Sequence, residues 1–192
     1  MNYLAHAFLS LEDPDLLAGN YLADLMHPRD LSALPPGVLQ GIELHRFIDS
    51  YTDGHTAVKS CTRMLHPVVH KYAPVVVDIY FDFLLEKNWQ KLAKSLIHEF
   101  REKVYEQLRS HSDIPEAYSG RMMRMIESDW LVRSSTYDHL HQSFLYLERK
   151  TSFPSNLGEA SAVLRKDEKV FEAHFLDFFP TLVSEVDKWV HN

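Results

Sequence analysis

Apolar residues recur at intervals of three and four in nearly every segment of this chain, and the strict apolar/polar alternation of half-buried strands is scarce. Only six glycines punctuate the 192 residues, so the pattern predicts an all-helical, all-α protein with negligible sheet. Residues 1–10 read as a short first helix, and 14–27 as a second, opened by Asp13 or Asp15 and stopped before Pro28. Pro35-Pro36-Gly37 starts a third over about 38–52, which breaks near Gly54. A helix over 56–72 follows, with a bend at Pro67, and 89–111 reads as one long amphipathic helix. After a turn at 112–115, a helix runs through Met122, Met125 and Ile126 to Trp130 and Val132. A shorter one covers 137–150, a loop spans 152–158, and 159–189 is a terminal helical region interrupted at Pro180. No connection is long and no internal repeat occurs, so the expectation is a single domain over 1–192, built as a helical bundle.

One segment departs from the amphipathic rule. Pro74-Val-Val-Val-Asp78-Ile-Tyr-Phe-Asp82-Phe-Leu-Leu85 is apolar on every face except at its two aspartates, and a helix of that kind is buried. Spaced i and i+4, Asp78 and Asp82 project from one face into surroundings where an unpaired carboxylate costs several kcal/mol. Something cationic must meet them. Two further pairs share the spacing, Asn20 with Asp24 and His45 with Asp49, and a bundle can aim three such helices at one interior point. An oxygen-rich set with one or two imidazoles suits Mn(II) best, with Mg(II) or Fe(II) as alternatives. Such an ion polarises a phosphoryl oxygen and lowers the pKa of a bound water. The candidate ligands are Asp24, His45, Asp49, Asp78 and Asp82, followed by Asn20 and Asp53. His6, among apolar neighbours on the first helix, has three open roles: ligand, general acid or hydrogen-bonded core imidazole.

Each element of this constellation also has a plain structural reading. Asp78 and Asp82 can pair with a buried arginine such as Arg46. His45 and Asp49 can form a helix-surface contact, Asn20 and Asp24 can be solvated, and Asp53 can cap the helix that begins near His55. His27, His55, His98, His111, His174 and His191 sit beside charged or loop residues and read as solvated. His66 and His70 have Pro67 between them and no carboxylate nearby.

Composition narrows the class. An apolar fraction of 45%, with 11 Phe, 9 Tyr and 3 Trp, supplies a large aromatic core, and a formal charge of -7 argues against a general nucleic-acid binder. The first ten residues carry no cationic leader and no apolar run approaches the ~20 residues of a membrane span, so the expectation is a soluble protein without membrane contact. Cys61, the single cysteine, can form neither an internal disulfide nor a thiolate-rich zinc site, which fits a cytoplasmic protein.

Met1-Asn-Tyr-Leu-Ala-His6, Gly19-Asn20-Tyr-Leu-Ala-Asp24, Gly41-Ile-Glu-Leu-His45-Arg46-Phe-Ile-Asp49-Ser-Tyr-Thr52-Asp53 and Asp78-Ile-Tyr-Phe-Asp82 resemble, in order and spacing, the bacterial acyl carrier protein phosphodiesterases. Trp130-Leu-Val-Arg133 and Phe175-Leu-Asp-Phe-Phe179-Pro180 extend the resemblance over almost the whole chain. That family is similar to the His-Asp (HD) metal-dependent phosphohydrolases, an all-helical fold, although no His-Asp dipeptide occurs here. The resemblance implies hydrolysis of the diester linking 4'-phosphopantetheine to a serine of holo-acyl carrier protein, with Mn(II) or Mg(II) as cofactor. His6, His45, Arg46 and Asp49 are the residues expected at the reaction centre, with Arg46 stabilising charge on the phosphoryl oxygens. Carrier proteins of this kind are acidic, so a cationic landing surface is also expected. Lys59, Arg63, Lys71, Arg121 and Arg124 are its candidates, or else ordinary solvated charges. Two competing functions stay open: a metal phosphohydrolase of nucleotides or other small phosphoesters, and a non-catalytic helical binding protein.

Overall fold

In the computed structural model, which describes residues 1–191, the helical periodicity resolves into ten α-helices joined by turns and short 3-10 segments, with no strand among these residues. They are α1 (Tyr3–Leu9), α2 (Pro14–Ala23), α3 (Pro36–Gly54), α4 (Thr56–Val69), α5 (Ala73–Lys87), α6 (Trp89–Leu92), α7 (Ile97–Ser110), α8 (Glu116–Glu127), α9 (Tyr137–Glu148) and α10 (Ala160–His191). None of these helices is long and apolar enough to cross a membrane. Helix α2 begins where Asp13 Oδ1 accepts the amides of Asp15 and Leu16 and Pro14 occupies the first turn. It stops at Ala23, short of the expected His27, because the amides of Leu25 and Met26 both turn back to the Leu22 carbonyl.

Three further features differ from expectation for physical reasons. The helix expected over 89–111 is two helices, α6 and α7. Trp89 is buried, and its indole N–H donates to the Ser95 carbonyl at 2.8 Å, an acceptor that only a non-helical connection offers. Glu99 then reaches back to the Leu96 amide and opens α7. The terminal helix bends at Asp167 (φ -112°, ψ 22°) and runs through Pro180 without interruption. Phe178, Phe179 and Leu182 are fully buried around that proline, and their packing holds the helix where one amide is missing. Helix α8 ends at Glu127, and Asp129 takes a left-handed conformation before a 3-10 turn over Trp130–Val132.

The apolar helix α5 is the centre of the core. Its Tyr80 ring meets Phe144 of α9 and Phe171 of α10 edge-on, Phe81 does the same with Phe175, and the buried Tyr80 hydroxyl accepts the Leu164 amide at 3.0 Å.

Helices α2 and α3 touch through their backbones. A Cβ placed on Gly19 would fall 2.1 Å from the Val38 carbonyl oxygen and 2.6 Å from Gly41 Cα, and one placed on Gly41 would fall 2.5 Å from the Leu16 carbonyl oxygen. Only glycine permits this approach at either position. Beyond it, Asp24 at the end of α2 is brought against His45 on α3.

In an exposed helix, replacing glycine by alanine stabilises by about 1 kcal/mol. Here the sign reverses: Gly41→Ala is expected to lower the unfolding free energy by about 1–3 kcal/mol in urea denaturation, because two backbones must separate. A midpoint equal to or above that of the parent protein would contradict the contact.

Candidate functional site

Helix α1 carries His6 into the space that α2 and α3 leave open. Its ring is buried, and Nδ1 lies 2.9 Å from Asn20 Oδ1. The Asn20 amide nitrogen donates to Ser10 Oγ at 2.9 Å, and Ser10 Oγ donates in turn to the His6 carbonyl at 2.9 Å. With that nitrogen committed as donor, Asn20 Oδ1 is an acceptor and the His6 proton is on Nδ1. His6 Nε2 therefore presents a bare lone pair. Burial holds this imidazole below its ordinary pKa, which keeps it neutral.

That lone pair lies 3.2 Å from Asp49 Oδ1. Two acceptors at this distance need a cation or a proton between them. His45 stacks on His6 with ring centroids 4.1 Å apart and planes 16° from parallel, and its Nε2 lies 3.2 Å from Asp49 Oδ2 and 3.3 Å from Asp24 Oδ1. Burial opposes charge on His45, but the two carboxylates outweigh it and raise its pKa to about 9. Its Nδ1 is buried without a partner, so the ring is held by stacking and by its Nε2 contacts. The contact with His45 depresses Asp24, and Asp49 is depressed as well, its burial being outweighed by hydrogen bonding to His45. The cluster is not sealed: the Asp24 and Asp49 side chains are 56% and 44% exposed.

Asp78 and Asp82 serve the start of α1. The Met1 ammonium, fully buried, lies 3.0 Å from Asp78 Oδ1 and 3.4 Å from Asp49 Oδ1. Asp82 Oδ2 accepts the Leu4 amide at 2.8 Å and Oδ1 the Ala5 amide at 3.1 Å. Helix α1 has no side-chain cap of its own at Asn2, so a residue of α5 caps it from outside. Burial raises the Asp82 carboxyl to about 7 against those two amide bonds. The cations sought for the α5 carboxylates are thus an α-ammonium and the positive end of a short helix, and no guanidinium is among them.

The structure brings His6, His45 and Asp49 together, with one potential ligand atom from each lying within 4.8 Å of the others, and sets Asp24 against the outer side of His45. Asn20 stands behind His6. Asp53 is exposed at the end of α3 and repels Asp78 from a distance, and Arg46 is exposed with no hydrogen bond or ion pair among the described residues. The donor set fits a divalent cation, which would replace the proton that His45 otherwise carries between its two carboxylates: it offers the His6 imidazole, the His45 imidazole and the Asp49 carboxylate. Sequence reasoning missed Ser10 and the Met1 ammonium, because their links to Asn20 and to Asp78 run between different helices. His111, read from the sequence as solvated, instead has a buried side chain whose Nε2 lies 2.9 Å from Oδ1 of the half-exposed Asp15, a contact that joins α2 to the turn after α7.

Comparison with known proteins gives a consistent family. Residues 1–182 match the family described as acyl carrier protein phosphodiesterase. A protein of Escherichia coli with that name is 25% identical over 190 residues, covering 98% of each chain. One of Serratia proteamaculans with the same name is 25% identical over 187 residues, covering 96% of this chain and 97% of its own. No solved structure matches the chain.

Asp82→Ala is expected to lower stability by about 2–5 kcal/mol in denaturant unfolding, because two buried amides lose their acceptor at about 1–3 kcal/mol each. Asp82→Asn, which keeps one acceptor, is expected to lose less. Equal effects of the two substitutions would remove the capping role.

Proposed function

Since the chain belongs to the acyl carrier protein phosphodiesterase family and is therefore a hydrolase acting on a phosphodiester, we propose that it cleaves 4'-phosphopantetheine from the serine of holo-acyl carrier protein, using a divalent metal ion. The products are apo-acyl carrier protein and free 4'-phosphopantetheine. One observation carries the metal dependence: two stacked imidazoles and a carboxylate converge, with His6 Nε2 3.2 Å from Asp49 Oδ1 and the Asn20–Ser10 hydrogen bonds assigning the His6 proton to Nδ1. His6, His45 and Asp49 are the proposed ligands. Two imidazoles with one carboxylate suit Mn(II) or Fe(II) better than Mg(II), which prefers an all-oxygen shell. When bound, the ion would supply Lewis-acid polarisation of a phosphoryl oxygen and a lowered pKa for water.

The chain's own groups divide the remaining work. Asn20, held by Ser10, fixes the His6 tautomer so that Nε2 faces the cluster. Asp24, open to solvent and in contact with His45 alone among the proposed ligands, is assigned to take a proton from the attacking water and return it to the departing serine oxygen. Were His45 to hold the ion, it would no longer donate to Asp24, and that carboxylate would regain its basicity. Arg46, unengaged on the next position of α3, is assigned to the phosphoryl oxygens. Asp78 and Asp82, committed to α1, hold His6 in place and are not assigned to the ion.

Mass spectrometry of holo-acyl carrier protein incubated with the enzyme and Mn(II) is expected to show conversion to the apo mass, abolished by chelator. Asp49→Asn is expected to cut kcat/KM by about a hundredfold or more, and Asn20→Ala by about 10–100-fold. Conversion indifferent to chelator would overturn the metal mechanism, and a persistent holo mass would overturn the reaction.

A further inference from the structure

A cavity of about 740 Å³ lies between the start of α1, which carries His6 further along, helices α5, α8 and α9 and the 3-10 turn that carries Trp130. It is within the roughly 300–1,000 Å³ of ordinary ligand pockets. Arg121, Arg133 and Lys150 line it, and none of the three has a carboxylate partner among the described residues. Arg133 donates to Ser128 Oγ at 2.9 Å, and Lys150 lies over the Tyr146 ring at 4.1 Å, so both are positioned without being neutralised. Asp82 also lines the cavity, but its oxygens are engaged by the Leu4 and Ala5 amides. In a chain of net charge -7, this is a local concentration of positive charge.

The remaining lining is mixed. Gln142 and Ser143 bring amide and hydroxyl groups, while Leu131, Met125 and Leu147 bring apolar surface. Trp130 lines the cavity with its indole N–H buried and unpartnered, which leaves a donor without an acceptor. Tyr3 connects the cavity to the metal cluster. Its ring meets Trp130 edge-on at 6.3 Å, and its hydroxyl feels the charges of Asp24, Arg121 and Arg133.

We propose that this cavity seats the pantetheine arm of the substrate, its phosphate end beside Tyr3, Arg121 and Arg133 and its amide-bearing chain along Trp130, Gln142 and Ser143. The assignment rests on the carrier-protein reading above. An arm with a phosphate at one end, two amides and a gem-dimethyl group asks for what the cavity lining holds: unpaired cations, amide and hydroxyl groups, and apolar surface. The acidic face of a carrier protein would instead ask for charge spread over an open surface.

Calorimetric titration separates these occupants, with free 4'-phosphopantetheine and unphosphorylated pantetheine as probes. Ser143→Trp, which fills the cavity, is expected to weaken both probes at least tenfold. Arg121→Ala, an exposed substitution that leaves folding intact, is expected to weaken 4'-phosphopantetheine severalfold and pantetheine little. Denaturation midpoints equal to the parent's accompany both results. Unchanged affinity for both probes in both variants would overturn the assignment. So would a loss of holo-carrier turnover with probe binding intact, which would give the cavity to the carrier's protein surface. If the parent protein leaves holo-carrier uncleaved yet binds the probes in a way that Ser143→Trp abolishes, the cavity assignment stands and the proposed reaction falls.

Discussion

With no side chain at Gly19 or Gly41, α2 and α3 close until main-chain atoms meet, and that approach sets the scale of everything built at the far end of the pair. A helix pair separated by ordinary side chains has axes about 8–10 Å apart, and Asn20 and Asp24 would then stand off from His45 and Asp49 by the width of a side chain. The observed 3.3 Å between His45 Nε2 and Asp24 Oδ1 leaves no room for that. Two glycines inside helices cost about 1 kcal/mol each in propensity, a cost offset by the apolar packing that closes around the contact through Leu16, Val38 and Ile42.

The second constraint is electrostatic and works from the opposite side. Helix α1 is too short to be stable by propensity alone, yet it has to hold His6 to within tenths of an ångström of Asn20. Helix α5 supplies what α1 lacks: Asp82 caps its first free amides and Asp78 fixes the ammonium ahead of them. Because the Tyr80 and Phe81 rings fix α5 against α9 and α10, its carboxylates are held in place, and α1 is positioned by them. A buried charge pair of this kind contributes little net stability by itself. Its effect is to fix one arrangement of α1 among several.

The helical class, the burial of α5 and the conflict set up by its two aspartates were legible from periodicity, because burial of an apolar face needs only local information. The partners of those aspartates were not legible. Pairing at i and i+4 shows that Asp78 and Asp82 share a face, but it is silent on what that face meets, and a helix N-terminus carries its positive charge on backbone atoms that no residue type advertises. The split between α6 and α7 was hidden for a similar reason, since the indole of Trp89 finds its acceptor on a carbonyl. His6 was seen to be ambiguous, and its ambiguity resolves only through Asn20 and Ser10, whose hydrogen bonds reach across the space between α1 and α2.

The site also explains why its polar groups are left partly unmet. A closed structural network would satisfy every donor and acceptor and gain rigidity from doing so. Here His6 is satisfied on one edge only, His45 keeps an unpartnered Nδ1, and Asp24 and Asp49 remain about half exposed. The inner half of the cluster is therefore rigid and the outer half open, the arrangement expected of a site that must hold its own groups still while admitting a phosphodiester from solvent. The cavity beyond Tyr3 repeats the logic with charge, keeping arginines unpaired in an acidic protein. A buried nitrogen without a partner, such as His45 Nδ1, costs stability that a closed network would not lose, so the openness of the cluster is held at the expense of rigidity.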